Sequence, residues 1–149
     1  MADRERDGYI LSSDPDRVDV DTVHRWLSED AYWALGRPRE VVEATVRRCD
    51  TWSVYACDGT QVGFTRAVTD GLTVAWLCDV YVDRAHRGRG LATWMAGAAV
   101  SDLRERRLDR LVLATSDAHA VYRRVGFVVP DRADKYMELV LKDAAVTPR

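Results

Sequence analysis

Two periodicities divide the chain. After a charged leader, Tyr9–Leu11 is a short apolar run closed by Ser12-Ser13-Asp14-Pro15, the pattern of an edge strand ending in a turn. Apolar residues then recur at three-to-four spacing, Val20, Val23, Trp26 and Leu27, behind Asp19 or Asp21 as helix cap, and the helix runs to about Glu29. Tyr32, Trp33 and Leu35 lead through Gly36 and Pro38 into a second helix carrying Val41, Val42, Thr45 and Val46 and ending near Arg48. From Trp52 the pattern predicts strands: Trp52–Cys57, a turn at Asp58-Gly59, Gln61–Val68, a turn at Asp70-Gly71, and Leu72–Val82. Arg84–Gly90 is a basic loop punctuated by glycine, and Leu91 to about Arg107 a helix with Leu91, Met95, Ala99 and Leu103 at four-residue steps. Arg110–Thr115 predicts a buried strand, Asp117–Val125 a short helix, and Phe127–Val129 and Tyr136–Leu141 two last strands. The expected fold class is α/β, with a mixed, mostly antiparallel central sheet of about seven strands flanked by about four helices.

Composition narrows the field. A chain of 149 residues has room for one core, so residues 1–149 are read as a single domain, with 1–7 and 143–149 as frayed ends. Twenty-two basic residues nearly cancel 24 acidic ones, for a formal net charge of -2, which argues against a nucleic-acid or anionic-membrane partner. The opening Met1 to Gly8 is charged and resembles no signal peptide, and no apolar run approaches membrane length, so a cytoplasmic location is expected. Cys49, Cys57 and Cys78 make no C-x-x-C pair, and His24, His86 and His119 join no ligand cluster, so neither a disulfide scaffold nor a metal is expected.

The chemistry concentrates in Arg87-Gly88-Arg89-Gly90-Leu91-Ala92, where a strand gives way to a helix. Glycines there permit left-handed dihedrals, and the first free amides of a helix, at the positive end of its dipole, suit phosphate oxygens. Neither the P-loop nor the dinucleotide fingerprint is present. Alone, the segment could equally be an ordinary turn with solvated arginines.

Its context decides otherwise. The R-x-x-G-x-A pattern of Arg87, Gly90 and Ala92 follows Leu77-Cys-Asp-Val-Tyr-Val82 and precedes a helix, a strand and Ala118-His-Ala-Val-Tyr-Arg-Arg-Val-Gly-Phe127. That order resembles the GNAT family of acetyl-CoA-dependent N-acetyltransferases, over about Trp52 to Leu141, with the leader helices where the family binds its acceptor. The resemblance implies acetyl-CoA as cosubstrate, its pyrophosphate on the amides of Arg87, Gly88, Arg89, Gly90, Leu91 and Ala92. Its pantetheine arm would pair with the backbone of Tyr81 and Val82. It also implies Tyr122, in the A-x-x-x-Y-x-x-x-G-F pattern, as the group that protonates the departing thiolate. Two positions depart from the family pattern: Arg84 replaces a usual proline, and Thr115-Ser-Asp117 a usual asparagine. Dimers are common in the family, which makes a homodimer one expected assembly.

Acetyl transfer needs a neutral amine, and at neutral pH only about one alkylamine in a thousand is unprotonated. Asp79 is the candidate base: on a regular strand it shares a face with Leu77 and Tyr81, three residues before Val82. The competing reading makes it a satisfied polar residue under a helix or the partner of an arginine. Trp26, Tyr32 and Trp33 are candidates for an aromatic acceptor wall, against the commoner fate of core packing. The expected activity is acetyl transfer from acetyl-CoA directly to a primary amine, a small molecule in preference to a protein or peptide. The alternatives are a non-catalytic acyl-CoA-binding module on the same fold and, from Arg84 to Arg89, a nucleic-acid binder.

Overall fold

A computed structural model describes residues 2–142. Six strands form one sheet in the order β1 to β6: β1 (Arg4–Arg6), β2 (Tyr9–Ser12), β3 (Asp50–Tyr55), β4 (Gln61–Thr69), β5 (Val74–Val82) and β6 (Arg110–Val112). Neighbours from β1 to β5 are antiparallel, and β5 and β6 are parallel. The helices are α1 (Val20–Glu29), α2 (Arg39–Arg48), α3 (Leu91–Glu105) and α4 (His119–Arg123).

Each sheet face has its own cover. On one face α3 lays Leu91, Met95, Ala99 and Leu103, its four-residue row, over Leu11, Trp52 and Leu77. On the other, α1 and α2 bring Val23, Trp26, Leu27, Val42 and Val46 onto Phe64 and Tyr81. Asp19 is the cap of α1, its carboxylate accepting from the amide of Thr22 at 3.0 Å.

The strand expectations need four corrections; one is that the expected buried strand Arg110–Thr115 shortens to β6, with Arg110 exposed and Leu111 and Val112 half-buried. Arg4–Arg6, expected to fray, is a strand: Asp7 (φ 51°) and Gly8 (φ 82°) make a two-residue turn of left-handed residues that folds it onto β2. Arg4 then reaches Asp102 of α3, and Trp52 Nε1 donates to the same carboxylate at 2.8 Å. β5 starts at Val74 rather than Leu72, because the Asp70 carboxylate accepts from the amides of Leu72 and Thr73 and extends the turn. Phe127–Val129 and Tyr136–Leu141 are not strands; a turn at Ala133–Lys135 with an Arg132–Asp134 ion pair stands between them, and most of their apolar side chains are exposed. The α4 helix is also shorter than Asp117–Val125. The expected tail 143–149 lies outside the described residues.

Candidate active site

The site begins as an irregularity in β5. Phe64 pairs with Tyr81 and Arg66 with Cys78, so β5 carries one residue more than β4 between those rungs, and Asp79 takes φ 56°. A bulge of this kind moves every later side chain to the opposite face. Leu77 accordingly packs under α3, whereas Tyr81 packs with α1 and α2. The expectation that Asp79 shares a face with Leu77 is corrected by this extra residue.

Asp79 is 6% exposed and its carboxylate is saturated. Arg66 Nε donates to it at 2.6 Å, Arg37 Nη1 at 2.7 Å and Trp33 Nε1 at 2.9 Å. Burial pushes its pKa up, but the two guanidiniums outweigh burial and hold it below the usual carboxylate value. A carboxylate of weakened basicity with its lone pairs committed is a poor proton acceptor, so Asp79 does not fit the expected role of base. It is a clamp that ties the α1–α2 connection to the bulge.

Beside the bulge the sheet opens. β5 and β6 pair only through Val74–Arg110, Ala75–Leu111 and Trp76–Val112. Beyond Trp76, β5 runs on to Val82 without a neighbour on that side, and the chain after Val112 leads away to Ser116 and α4. The splay leaves an open backbone edge that an extended molecule can enter as a strand would. Tyr122 belongs to α4, edge-on to Phe127 at 5.9 Å. Burial, with Tyr32 and Asp117 adding to it, raises its hydroxyl to about 12. Tyr32 bridges the α1–α2 connection to the chain after β6 through a 2.5 Å hydrogen bond with Ser116, and its ring is edge-on to Trp33 at 5.1 Å. Both are exposed. Trp26 is not part of that wall: it is 5% exposed and stacks on Tyr81 at 5.2 Å, as core beneath the site.

Past β5 the chain makes the basic glycine loop. Gly88 and Gly90 have φ of 76° and 74°, left-handed values that cost other residues energy, and Gly90 caps α3 in that conformation. The first helical bond of α3 runs from the Trp94 amide to the Gly90 carbonyl at 3.0 Å, so the amides of Leu91, Ala92 and Thr93 have no acceptor within the helix. Arg6 Nη2 donates to the carbonyls of Arg89 (3.3 Å) and Gly90 (3.2 Å) from above, its guanidinium over the Trp94 ring. Arg89 donates to the Tyr9 hydroxyl, which shares a hydrogen bond with His86 Nδ1. Arg87, though half exposed, bends back onto β5: its Nε donates to the Val82 carbonyl at 2.9 Å and its guanidinium lies over Tyr81. Asp30, at the C-cap of α1, gathers Arg84, Tyr81 and Arg87, and the Arg84 and Tyr81 bonds hold its carboxyl well below the usual value.

Residues 20–127 match the family model described as Acetyltransferase (GNAT) family. This chain belongs to the GNAT acetyltransferase family. A Gibberella zeae protein named Putative acetyltransferase FG08082 is 32% identical over 108 residues, a match spanning 60% of this chain and 61% of that protein. A GNAT-family crystal structure from Xanthomonas campestris pv. campestris is 34% identical, superposes with TM-score 0.84, and is covered to 97% while covering 93% of this chain. A structure from Deinococcus radiodurans R1 described as a putative acetyltransferase, 19% identical, shares the fold with TM-score 0.72, over 95% of this chain and 94% of its own. Among the described residues the GNAT fold has six strands rather than about seven.

Several residues that the structure brings to this candidate site escaped the sequence reading. Arg37, Arg66 and Ser116 act through contacts between elements, which spacing does not reveal. Asp30 left a signal: an acidic residue at a helix C-terminus opposes the helix dipole and needs partners elsewhere.

Proposed function

We propose that this chain is an acetyl-CoA-dependent N-acetyltransferase that moves the acetyl group directly to the primary amine of a small molecule. The observation that carries the reading is the splay between β5 and β6 opening next to the left-handed glycines and unbonded amides that begin α3. A pyrophosphate fits those amides, and an extended amide-bearing arm fits the free edge of β5. The Val82 carbonyl, taken by Arg87, is not free for such pairing, which leaves the remaining edge groups near Tyr81 and Val82 to do it.

The chemistry then proceeds without a carboxylate base. Two guanidiniums against one carboxylate give the Arg37–Asp79–Arg66 set a net charge of about +1, which disfavours an ammonium nearby and selects the neutral amine. The amine nitrogen attacks the thioester carbonyl, the C–N bond forms, the C–S bond breaks, and the nitrogen releases its proton to water. A thiol has a pKa near 8.5, so full proton transfer from a hydroxyl near 12 is uphill by roughly 5 kcal/mol. Tyr122 therefore donates a hydrogen bond to the leaving thiolate and keeps its proton, and solvent protonates the sulfur afterwards. Exposed Tyr32 and Trp33 offer the acceptor an aromatic surface suited to the apolar part of a neutral amine.

Thermal unfolding with acetyl-CoA, coenzyme A, ATP or no ligand tests the donor site. A ligand at about a hundred times its dissociation constant adds roughly 2.7 kcal/mol, several degrees for a chain of this size. A rise with acetyl-CoA and coenzyme A but not ATP is expected, followed by thiol release with a panel of small amines. No rise at saturating acetyl-CoA overturns the reading. A rise without thiol release favours the non-catalytic binding module.

A further inference from the structure

Asp79 does not use up its arginines. Arg37 donates to it through Nη1 alone, so the Nε–Nη2 edge of that guanidinium, the fork that matches the two oxygens of a carboxylate, makes no hydrogen bond among the described residues. Arg66 commits Nε to Asp79 and Nη1 to the Cys49 sulfur at 3.4 Å, which leaves its Nη2 without a bond among the same residues. The buried side-chain atoms that lack a partner among the described residues are Arg6 Nε and Thr51 Oγ1, so the free nitrogens of Arg37 and Arg66 touch solvent. The Arg37 side chain is 20% exposed.

Apolar surface lies beside the fork. Arg66 and Val68 on β4, with Cys78 and Trp76 opposite them on β5, share the face away from α3, because the alternating Ala67, Ala75 and Leu77 pack under that helix. Trp76 and Val68 are exposed there, and so is Trp33, whose indole N–H occupies the other oxygen of Asp79. Asp79 itself belongs to the stretch of β5 that runs past Trp76 without a neighbour on the β6 side.

We infer that the acceptor is a free α-amino acid with an apolar side chain, its carboxylate on the fork of Arg37 and its side chain against Trp33, Trp76 and Val68. The inference rests on the acetyl-transfer reading and narrows the amine it takes. A surplus of about one positive charge in the Arg37–Asp79–Arg66 set matches a carboxylate, whereas a phosphate with nearly two negative charges would leave the set negative. Amine and carboxylate share one carbon, so a carboxylate anchored at Arg37 holds the nitrogen beside the open edge of β5. Pairing that carboxylate with a guanidinium also cancels the field by which it stabilises its own ammonium, which favours release of the proton before the nitrogen attacks. The amino terminus of a peptide and the side chain of a protein lysine have their neighbouring carboxyl tied up as an amide and make no use of the fork.

Calorimetric titration into the full chain saturated with coenzyme A, which binds without turnover, compares leucine, phenylalanine and tryptophan, each with its carboxamide and its decarboxylated amine. At least one of the amino acids should bind roughly ten- to a hundredfold more tightly than both of its analogues. In Arg37→Met that preference should vanish while coenzyme A still raises the unfolding midpoint, and Arg37→Lys, which keeps the charge without the fork, should restore only part of it. Analogues that bind the wild type as tightly as the amino acids overturn the inference and leave acetyl transfer to another amine standing. So does a preference that survives in Arg37→Met, or a coenzyme A complex that binds none of the three amino acids. A chain whose midpoint coenzyme A does not raise overturns the acetyl-transfer reading itself, and the inference with it. The wild-type comparison decides even where Arg37→Met fails to fold.

Discussion

Asp79 and Asp102 are both buried, and each accepts from an indole N–H and at least one guanidinium, but they sit in opposite kinds of surroundings. Asp102 lies within α3, and its partners Arg4 and Trp52 belong to β1 and β3, elements of the fixed body. Asp79 sits on left-handed backbone at a bulge, and two of its partners, Trp33 and Arg37, come from a connection at the mouth of the splay. One carboxylate balances one arginine; the other is outnumbered two to one. Burial and saturation are therefore shared by a brace and by a candidate site residue. Backbone strain, accessible partners and surplus charge tell them apart.

Three variants can break that comparison. Asp102→Ala has the largest expected effect on the fold: it orphans the buried Trp52 N–H and strips Arg4 of its partner, costing roughly 3 kcal/mol or more. Its unfolding midpoint should fall by roughly 6 to 12 °C. Acetyl-CoA should still raise the midpoint of the folded variant. An equal fall for Asp79→Asn would make both residues braces.

Asp79→Asn should instead lower kcat/KM for acetyl transfer by roughly a hundredfold, measured as thiol release, since it loosens the connection carrying Trp33 and Arg37. Its stability has a definite pH signature. The folded-state pKa of Asp79 lies below its unfolded value of about 3.8, so its ionised form contributes stability above that pH and loses it as pH falls through the folded value. The gap in unfolding free energy between wild type and variant should be flat from about pH 5 to 8 and shrink below about pH 4. The rate of the variant should still rise with alkalinity; loss of that limb would restore Asp79 as the base.

Tyr122→Phe has the narrowest effect. It should reduce kcat by roughly ten- to a hundredfold with little change in the acetyl-CoA midpoint shift, the mark of an interaction made in the transition state. With its hydroxyl near 12, ionisation of Tyr122 cannot explain an alkaline loss of activity at pH 9 to 10. Such a loss, absent from the variant, would contradict its environment.

The sequence carried the parts of the fold with strong local signals. The four-residue row of α3, the cap at Asp19, the Asp-Gly turns and the glycine loop are each written in neighbouring residues and appear in the structure. What it hid depends on distant partners. The bulge at Asp79 exists only in the register of β5 against β4, so the facing of Asp79 could not be read from alternation. Trp26 and Trp33 look alike as letters; one stacks on Tyr81 in the core, the other, itself exposed, reaches in to the buried Asp79. The last two expected strands have the right residues and no neighbouring strand, and strand propensity makes no sheet without a pairing partner.

The hairpin of β1 and β2 lies outside the stretch that the family model matches, yet it grips the loop that defines the family: Arg6 holds the carbonyls of Arg89 and Gly90, and the Tyr9 hydroxyl meets Arg89 and His86. The shared motif supplies the glycines and amides, whereas contacts that hold them in place come from residues outside the matched stretch. Relatives with an identical loop and a different amino-terminal brace would then differ in how tightly they hold the same donor, a form of tuning invisible to any comparison confined to the motif.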